Sequence, residues 1–239
     1  MCVVAHPDDE CVAFGGALAL AVEQGAEVSV ICLTDGQAAT NRGDSKSSEE
    51  LGAMRRAEFA ASCEALGVQH REVMQYQDAQ LEFANVSEVA GRLVERMRSF
   101  RPQVVLTVGG DGAANTHPDH TMTCFATTAA FHWAASEKRY KDLGPVYRPQ
   151  RLFYQTTNFF LPDRPHPIPA PWTLRLDIRE VFERKLDAFR AHTSQAPLMD
   201  IVVPRWKQYG MSELYALAAT TEPQVARSST DLFEGVAED

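Results

Sequence analysis

Val3-Val4-Ala5-His6-Pro7-Asp8-Asp9-Glu10 is an apolar run that stops in a histidine and three carboxylates. In an open α/β sheet, ligands bind in the crevice outside the carboxyl ends of the strands. A strand that ends in such a polar turn is therefore at the edge where a site is built. The plain alternative is that Asp8 or Asp9 caps a helix beginning near Glu10. A second stretch favours the site: Val104-Val105-Leu106-Thr107-Val108 is another apolar strand, and it leads to His117-Pro118-Asp119-His120. Asp119 alone would be an ordinary carboxylate at a helix N-terminus, where the dipole favours negative charge. Two His/Asp clusters, each after a Val-rich strand, point to one shared crevice of a parallel sheet.

Outward from these two turns, strand and helix patterns alternate. Cys11 to Gln24 reads as a helix, with Gly15-Gly16 allowing close packing on the sheet. Glu27 to Thr34 reads as a strand ending at the turn Asp35-Gly36. Thr40 to Ser48 is polar and reads as a mobile loop near the same edge. Glu49 to Leu66 is an amphipathic helix closed by Gly67, Gln69 to Met74 a strand, and Asn85 to Phe100 a helix that stops before Pro102. Gln103 to Val108 is the strand before the second cluster, and Asp119 to Ala135 the helix after it. Arg151 to Thr156 and Thr173 to Leu176 read as strands, Phe159 to Pro171 as a proline-punctuated loop, and Ile178 to Ala191 as a helix. The expectation is an α/β fold, Rossmann-like, with a mostly parallel sheet and helices on both faces. With 239 residues the chain is read as a single domain, 1–239, with a core of about 1–135. Residues 136–239 complete the sheet and the rim of the site.

The chain is 45% hydrophobic and 23% charged, as expected of a globular protein. A net charge of -9 gives neither the basic footprint of a nucleic-acid binder nor a polybasic surface for anionic lipid. The expected partner is a small molecule; a homo-oligomer is compatible with this composition. Five cysteines (Cys2, Cys11, Cys32, Cys63, Cys124) are scattered without CxxC spacing, which indicates neither a disulfide framework nor a thiolate zinc site. With no signal-peptide pattern and no apolar run of membrane-spanning length, the expected location is cytoplasmic.

A catalytic zinc site uses three nitrogen or oxygen ligands and leaves a position for water. His6, Asp9 and His120 supply such a set, and the same donors suit Fe2+ or another divalent metal. Asp8, adjacent to Asp9 but able to point elsewhere, is the candidate general base. His117, one helical turn before His120, is the candidate acid or oxyanion stabiliser. Asp119 is positioned to orient an imidazole, and Glu10 reads as a cap of the first helix.

These residues resemble the LmbE-like, or PIG-L, zinc-dependent deacetylases of N-acetylglucosaminyl compounds. Leu33-Thr34-Asp35-Gly36, Arg55-x-x-Glu58 with Ala65-Leu66-Gly67-Val68, and Lys185 through His192-Thr193-Ser194-Gln195 extend the likeness over most of residues 1 to 195. The resemblance implies zinc on His6, Asp9 and His120, Asp8 as base and His117 as acid or oxyanion donor. It also implies Arg55 and Asp78 as substrate contacts, although Ala79 stands where the family usually has glycine. The function implied is removal of an N-acetyl group from an N-acetylglucosamine-containing small molecule by metal-activated water. Its rivals are an amidase of a thiol conjugate or another N-acyl sugar derivative, a non-catalytic sugar-binding relative, and a nucleotide-binding Rossmann module. The last is disfavoured because no GxGxxG follows the first strand and the turn there is acidic.

Overall fold

The fully buried run Ser29-Val30-Ile31-Cys32-Leu33-Thr34 is the signature of a strand covered on both faces. In the computed structural model, which describes residues 1–161, 164–223 and 226–237, it is β2 in this order: β1 (Cys2–Val4), α1 (Asp9–Glu23), β2 (Ser29–Thr34), α2 (Ser48–Leu66), β3 (His70–Tyr76), α3 (Val86–Phe100), β4 (Val104–Val108), α4 (Pro118–Ala134), β5 (Arg151–Thr156), β6 (Leu174–Asp177), α5 (Phe182–Ala191), α6 (Met199–Gln208) and β7 (Ser212–Thr220). Pro162 of the proline-punctuated loop lies outside the described residues. The fold is of the α/β class with mostly parallel strands, and it divides into two compact units.

One unit comprises Cys2–Gln80 with Arg175–Glu213. Its parallel strands run β3-β2-β1, with Val3 opposite Ile31 and Ile31 opposite Glu72. α1 is buried on several sides and packs with α2 and α5. A Cβ on Gly16 would stand 2.3 Å from Ile178 Cγ2, and one on Gly15 3.0 Å from Lys185 Cγ. The glycine pair thus admits α5 and the residue leading into it, where the sequence pointed to the sheet. Lys185 is buried at 1% exposure: its Nζ donates to Val12 O at 2.9 Å, pairs with Glu213 and lies 4.2 Å from the Trp206 ring centroid. Glu213 in turn accepts the Gly16 and Ala17 amides at 2.7 and 2.8 Å. A buried ammonium and carboxylate are tolerable because each is also hydrogen-bonded.

The other unit comprises residues 81–174 and those from Leu214 onward, with Met1. β4 runs parallel to β5, and β5 antiparallel to β7, with Thr156 opposite Leu214. α3 and α4 pack on each other. Arg98, 3% exposed, closes the end of α4: its guanidinium donates to the carbonyls of Trp133, Ala134, Ser136, Arg139, Tyr140 and Gly144. A lysine offers three donors from a point charge and cannot span that set. Arg98→Lys is expected to cost about 3 kcal/mol, a melting temperature roughly 6–12 °C lower at this chain length. Thermal unfolding checks it.

Two elements escaped the sequence reading. α6 holds Pro204 in its interior, so the usual breaker rule argues against a helix there. β7 carries Glu213 among its apolar residues and follows the Gly210 turn directly. The helix expected from Ile178 begins instead with a 3-10 turn at Arg179–Val181.

Candidate active site

The turn after β1 sends its two aspartates in different directions. Asp9 begins α1 and turns back on His6: its Oδ2 accepts the His6 amide at 2.9 Å and lies 3.5 Å from His6 Nδ1. On the other side of the ring, His6 Nε2 is 3.0 Å from Asp78 Oδ1. A proton on Nε2 donated to that carboxylate puts the ring's lone pair on Nδ1, the Asp9 side. Asp78, which the resemblance makes a substrate contact, also accepts the Ala38 amide at 2.9 Å on Oδ2. Burial raises its pKa, but the hydrogen bond from His6 and the Ala38 amide counter it, and the carboxyl is held below its ordinary value. Ala79 takes φ 60°, the left-handed conformation for which glycine is suited.

Asp8 stands at φ 120°, ψ -29°, and its side chain makes no cap bond to α1. For a non-glycine residue such backbone costs on the order of 1–3 kcal/mol and persists only where neighbours hold it. They do so here. Arg55 Nη2 donates to Asp8 Oδ2 at 3.0 Å and to Pro7 O, and Nη1 donates to Gly36 O at 3.0 Å. The Asp8 amide donates to Glu10 Oε2 at 2.9 Å, and Cys11 Sγ donates to Asp8 O at 3.1 Å. Burial raises the Asp8 carboxyl from 3.8 to about 6, opposed by Arg55 and His192 and reinforced by Asp9 and Glu10. Arg55, expected at the substrate, is 3% exposed and grips this turn, while its neighbour Arg56 pairs with Asp35 at the surface.

Behind the turn, Glu10 is fully buried. Its Oε1 accepts from Ser62 Oγ at 2.6 Å and His192 Nε2 at 2.7 Å. Burial raises the Glu10 pKa, but His192, Ser62 and the Asp8 amide together lower it; burial lowers that of His192, but Glu10 and Asp8 raise it. Glu10 therefore does more than terminate a helix. Glu10, Cys11 and His192 bring ligand atoms within 4.8 Å of one another, yet Glu10 and His192 bond each other and Cys11 bonds Asp8, which is a hydrogen-bonded core cluster. The next residues continue the pattern. Thr193 Oγ1, Ser194 N–H and Ser194 Oγ donate to Glu58 at 2.7, 2.7 and 2.6 Å, and Gln195 Nε2 donates to Asn41 O at 3.0 Å. The loop read as mobile is thus tied down at Asn41. Ser62 went unread, although Arg55, Glu58 and Ser62 at helical spacing form a polar stripe on the buried face of α2 that could have revealed it.

The turn after β4 belongs to the unit that holds residues 81–174. Gly112 has φ 84°, and a Cβ there would meet Thr116 C at 2.7 Å and His117 N at 2.9 Å, so only glycine fits. Gly112 O accepts the His117 amide at 3.0 Å and lies 3.0 Å from His120 Nδ1. That bond puts a proton on Nδ1 and the lone pair of His120 on Nε2. His117 caps α4 through Nδ1, which accepts the Asp119 amide at 3.1 Å. A ring that accepts on Nδ1 is neutral and carries its proton on Nε2. Asp119 is fully buried, with Oδ1 accepting the Leu81 amide at 3.1 Å. The two histidine rings are 5.4 Å apart, tilted by 41°.

These observations define an α/β protein whose parallel strands end in histidine–carboxylate turns. The chain belongs to the PIG-L family: residues 1–131 match the family described as "PIG-L: GlcNAc-PI de-N-acetylase". It is 34% identical to a mycothiol S-conjugate amidase of Streptomyces coelicolor over 175 residues, covering 64% of this chain and 59% of that one. It is 31% identical to a probable N-acetyl-alpha-D-glucosaminyl L-malate deacetylase 2 of Bacillus cereus over 199 residues, covering 82% and 83%. The fold is similar to that of N,N'-diacetylchitobiose deacetylase from Pyrococcus horikoshii, with a TM-score of 0.75, 23% identity and coverage of 90% and 82%. Among the described residues, no helix is long and apolar enough to cross a membrane.

Proposed function

We propose that this chain is a metal-dependent hydrolase that removes the N-acetyl group of an N-acetylglucosamine-containing small molecule. The observation that carries the reading is the divergence of Asp8 and Asp9: one carboxylate is turned to His6, the other to Arg55. Family membership and the deacetylases among the relatives support it.

His6, Asp9 and His120 would hold the cation. The donors fit, because each histidine has one ring nitrogen bonded to an oxygen acceptor, Asp78 for His6 and Gly112 O for His120. Such partners orient metal-ligating imidazoles and raise their basicity. Zinc is the cation we propose, as two histidines and one carboxylate are a usual set for it. Bound there, it would bring the pKa of water toward about 7 and polarise the acyl carbonyl. Asp8 takes the proton of the attacking water and returns it to the departing amine, so that water and amide become acetate and amine. His117 donates from Nε2 to the oxygen of the tetrahedral intermediate. Asp119, whose amide bonds His117 Nδ1, keeps that tautomer. Arg55 holds Asp8, and any contact it makes to substrate would be shared with that task. The five buried thiols suit a reducing, cytoplasmic location.

The similarity to a mycothiol S-conjugate amidase supports a second reading, hydrolysis of the amide of a thiol conjugate. One assay separates them. N-acetylglucosaminyl compounds and a glucosaminyl thiol conjugate are incubated with the protein, and released acetate or acyl product is measured after chelation and after zinc is restored. Acetate release that is lost with the chelator and regained with zinc is expected. Release insensitive to the chelator overturns the metal reading, and preference for the conjugate establishes the second.

A further inference from the structure

We propose that His192 is a positioning residue that sets the orientation of Asp8 through Glu10, an inference that rests on Asp8 being the base. Asp8 holds a backbone angle that non-glycine residues seldom adopt, and its amide is fixed by Glu10 Oε2 at 2.9 Å. Glu10 can do so only if its own carboxylate is immobile. It has no exposure to water, and its other oxygen is gripped by His192 Nε2 at 2.7 Å and Ser62 Oγ at 2.6 Å. His192 is itself fully buried and stands at the C-terminal end of α5, 182 residues along the chain from the group it holds. It bonds Glu10 Oε1, while Asp8's amide bonds Oε2. Removing the imidazole leaves a buried carboxylate with one donor fewer, and a buried carboxylate short of partners moves toward other donors. That movement frees the Asp8 amide to relax toward ordinary backbone, and the carboxylate turns with it.

The bonding pattern of His192 separates this role from metal binding. His192 bonds no proposed ligand directly; its effect passes through Glu10 to the residue that accepts the proton. His192→Phe is therefore expected to keep zinc stoichiometry and KM within about twofold while kcat falls by about thirtyfold, an orientation effect of the kind that misplacement produces. His192→Gln, which restores a donor to Glu10, is expected to regain kcat to within about fivefold of the natural chain. A crystal structure of zinc-loaded His192→Phe provides the readout independent of turnover: Asp8 should leave φ near 120° and its carboxylate should separate from Arg55. Should His192→Phe fail to fold, Ser62→Ala removes the other side-chain donor to Glu10 Oε1 and should lower kcat about threefold with KM unchanged. Unaltered kcat with intact zinc, or an Asp8 backbone that does not move, overturns the proposal. Loss of zinc together with activity in both variants also overturns it, in favour of a role in the metal site. If the natural chain releases no amine from any N-acetylglucosaminyl compound, the functional reading fails, and the Asp8 geometry in the variant still decides this inference.

Discussion

Asp8→Ala is expected to retain its cation and lose about 10²–10⁴-fold in kcat, the usual worth of a positioned general base. The geometry behind this is that Asp8 is not needed to hold His6 or Asp9: its carboxylate is bonded to Arg55, and its backbone contacts run to Glu10, Cys11 and Val12. Metal content by elemental analysis should match the natural chain. Asp8→Asn should fall about as far, because it keeps the shape but cannot take a proton. The sign of the pH response follows from burial, which raises the carboxyl to about 6. A group raised in this way still serves as a base at neutral pH and is lost as pH falls through that value. A nearby cation moves the loss lower, so activity should decline at or below pH 6 on the acid side. An Asp8→Ala enzyme of near-normal activity would sink the base assignment.

His120→Ala should fail differently, losing zinc and turnover together by at least about 10³-fold, since without the cation the pKa of water returns from about 7 to its far higher bulk value. In the proposed ligand set, His120 would be oriented by Gly112, whose carbonyl is bonded to the ring through Nδ1. The glycine backbone needed there shows how tightly the turn is drawn, because a Cβ would overlap Thr116 and His117. Zinc titration monitored by displacement from a chromophoric chelator separates the two variants: tight binding in Asp8→Ala, weak or none in His120→Ala. Tight zinc binding by His120→Ala would remove this residue from the ligand set.

The parallel strands and the helices that pack on them were legible because their cause is local. β2 is a run of apolar residues wherever it is placed, and Gln103 to Val108 anticipated β4 within one residue. α6 was hidden by a proline inside it, and β7 by its buried glutamate, whose partners Gly16 and Ala17 lie almost 200 residues earlier. In the candidate site, the sequence identified the polar groups but not their division of labour. Arg55 and Asp78 were assigned to substrate by resemblance, and their structural neighbours are Asp8 and His6. Glu10 read as a cap because its partners, Ser62 and His192, come from two distant helical segments. Side-chain pairings of that kind depend on tertiary packing, which a window of sequence does not contain.

The stretch His192-Thr193-Ser194-Gln195 addresses three segments in succession: Glu10 after β1, Glu58 on α2 and Asn41 in the loop after β2. That loop is consequently not an interchangeable module. A chimera meant to import the substrate preference of a relative by grafting residues 36–47 would have to bring that relative's counterpart of 192–195 as well. Otherwise the graft arrives without its mooring.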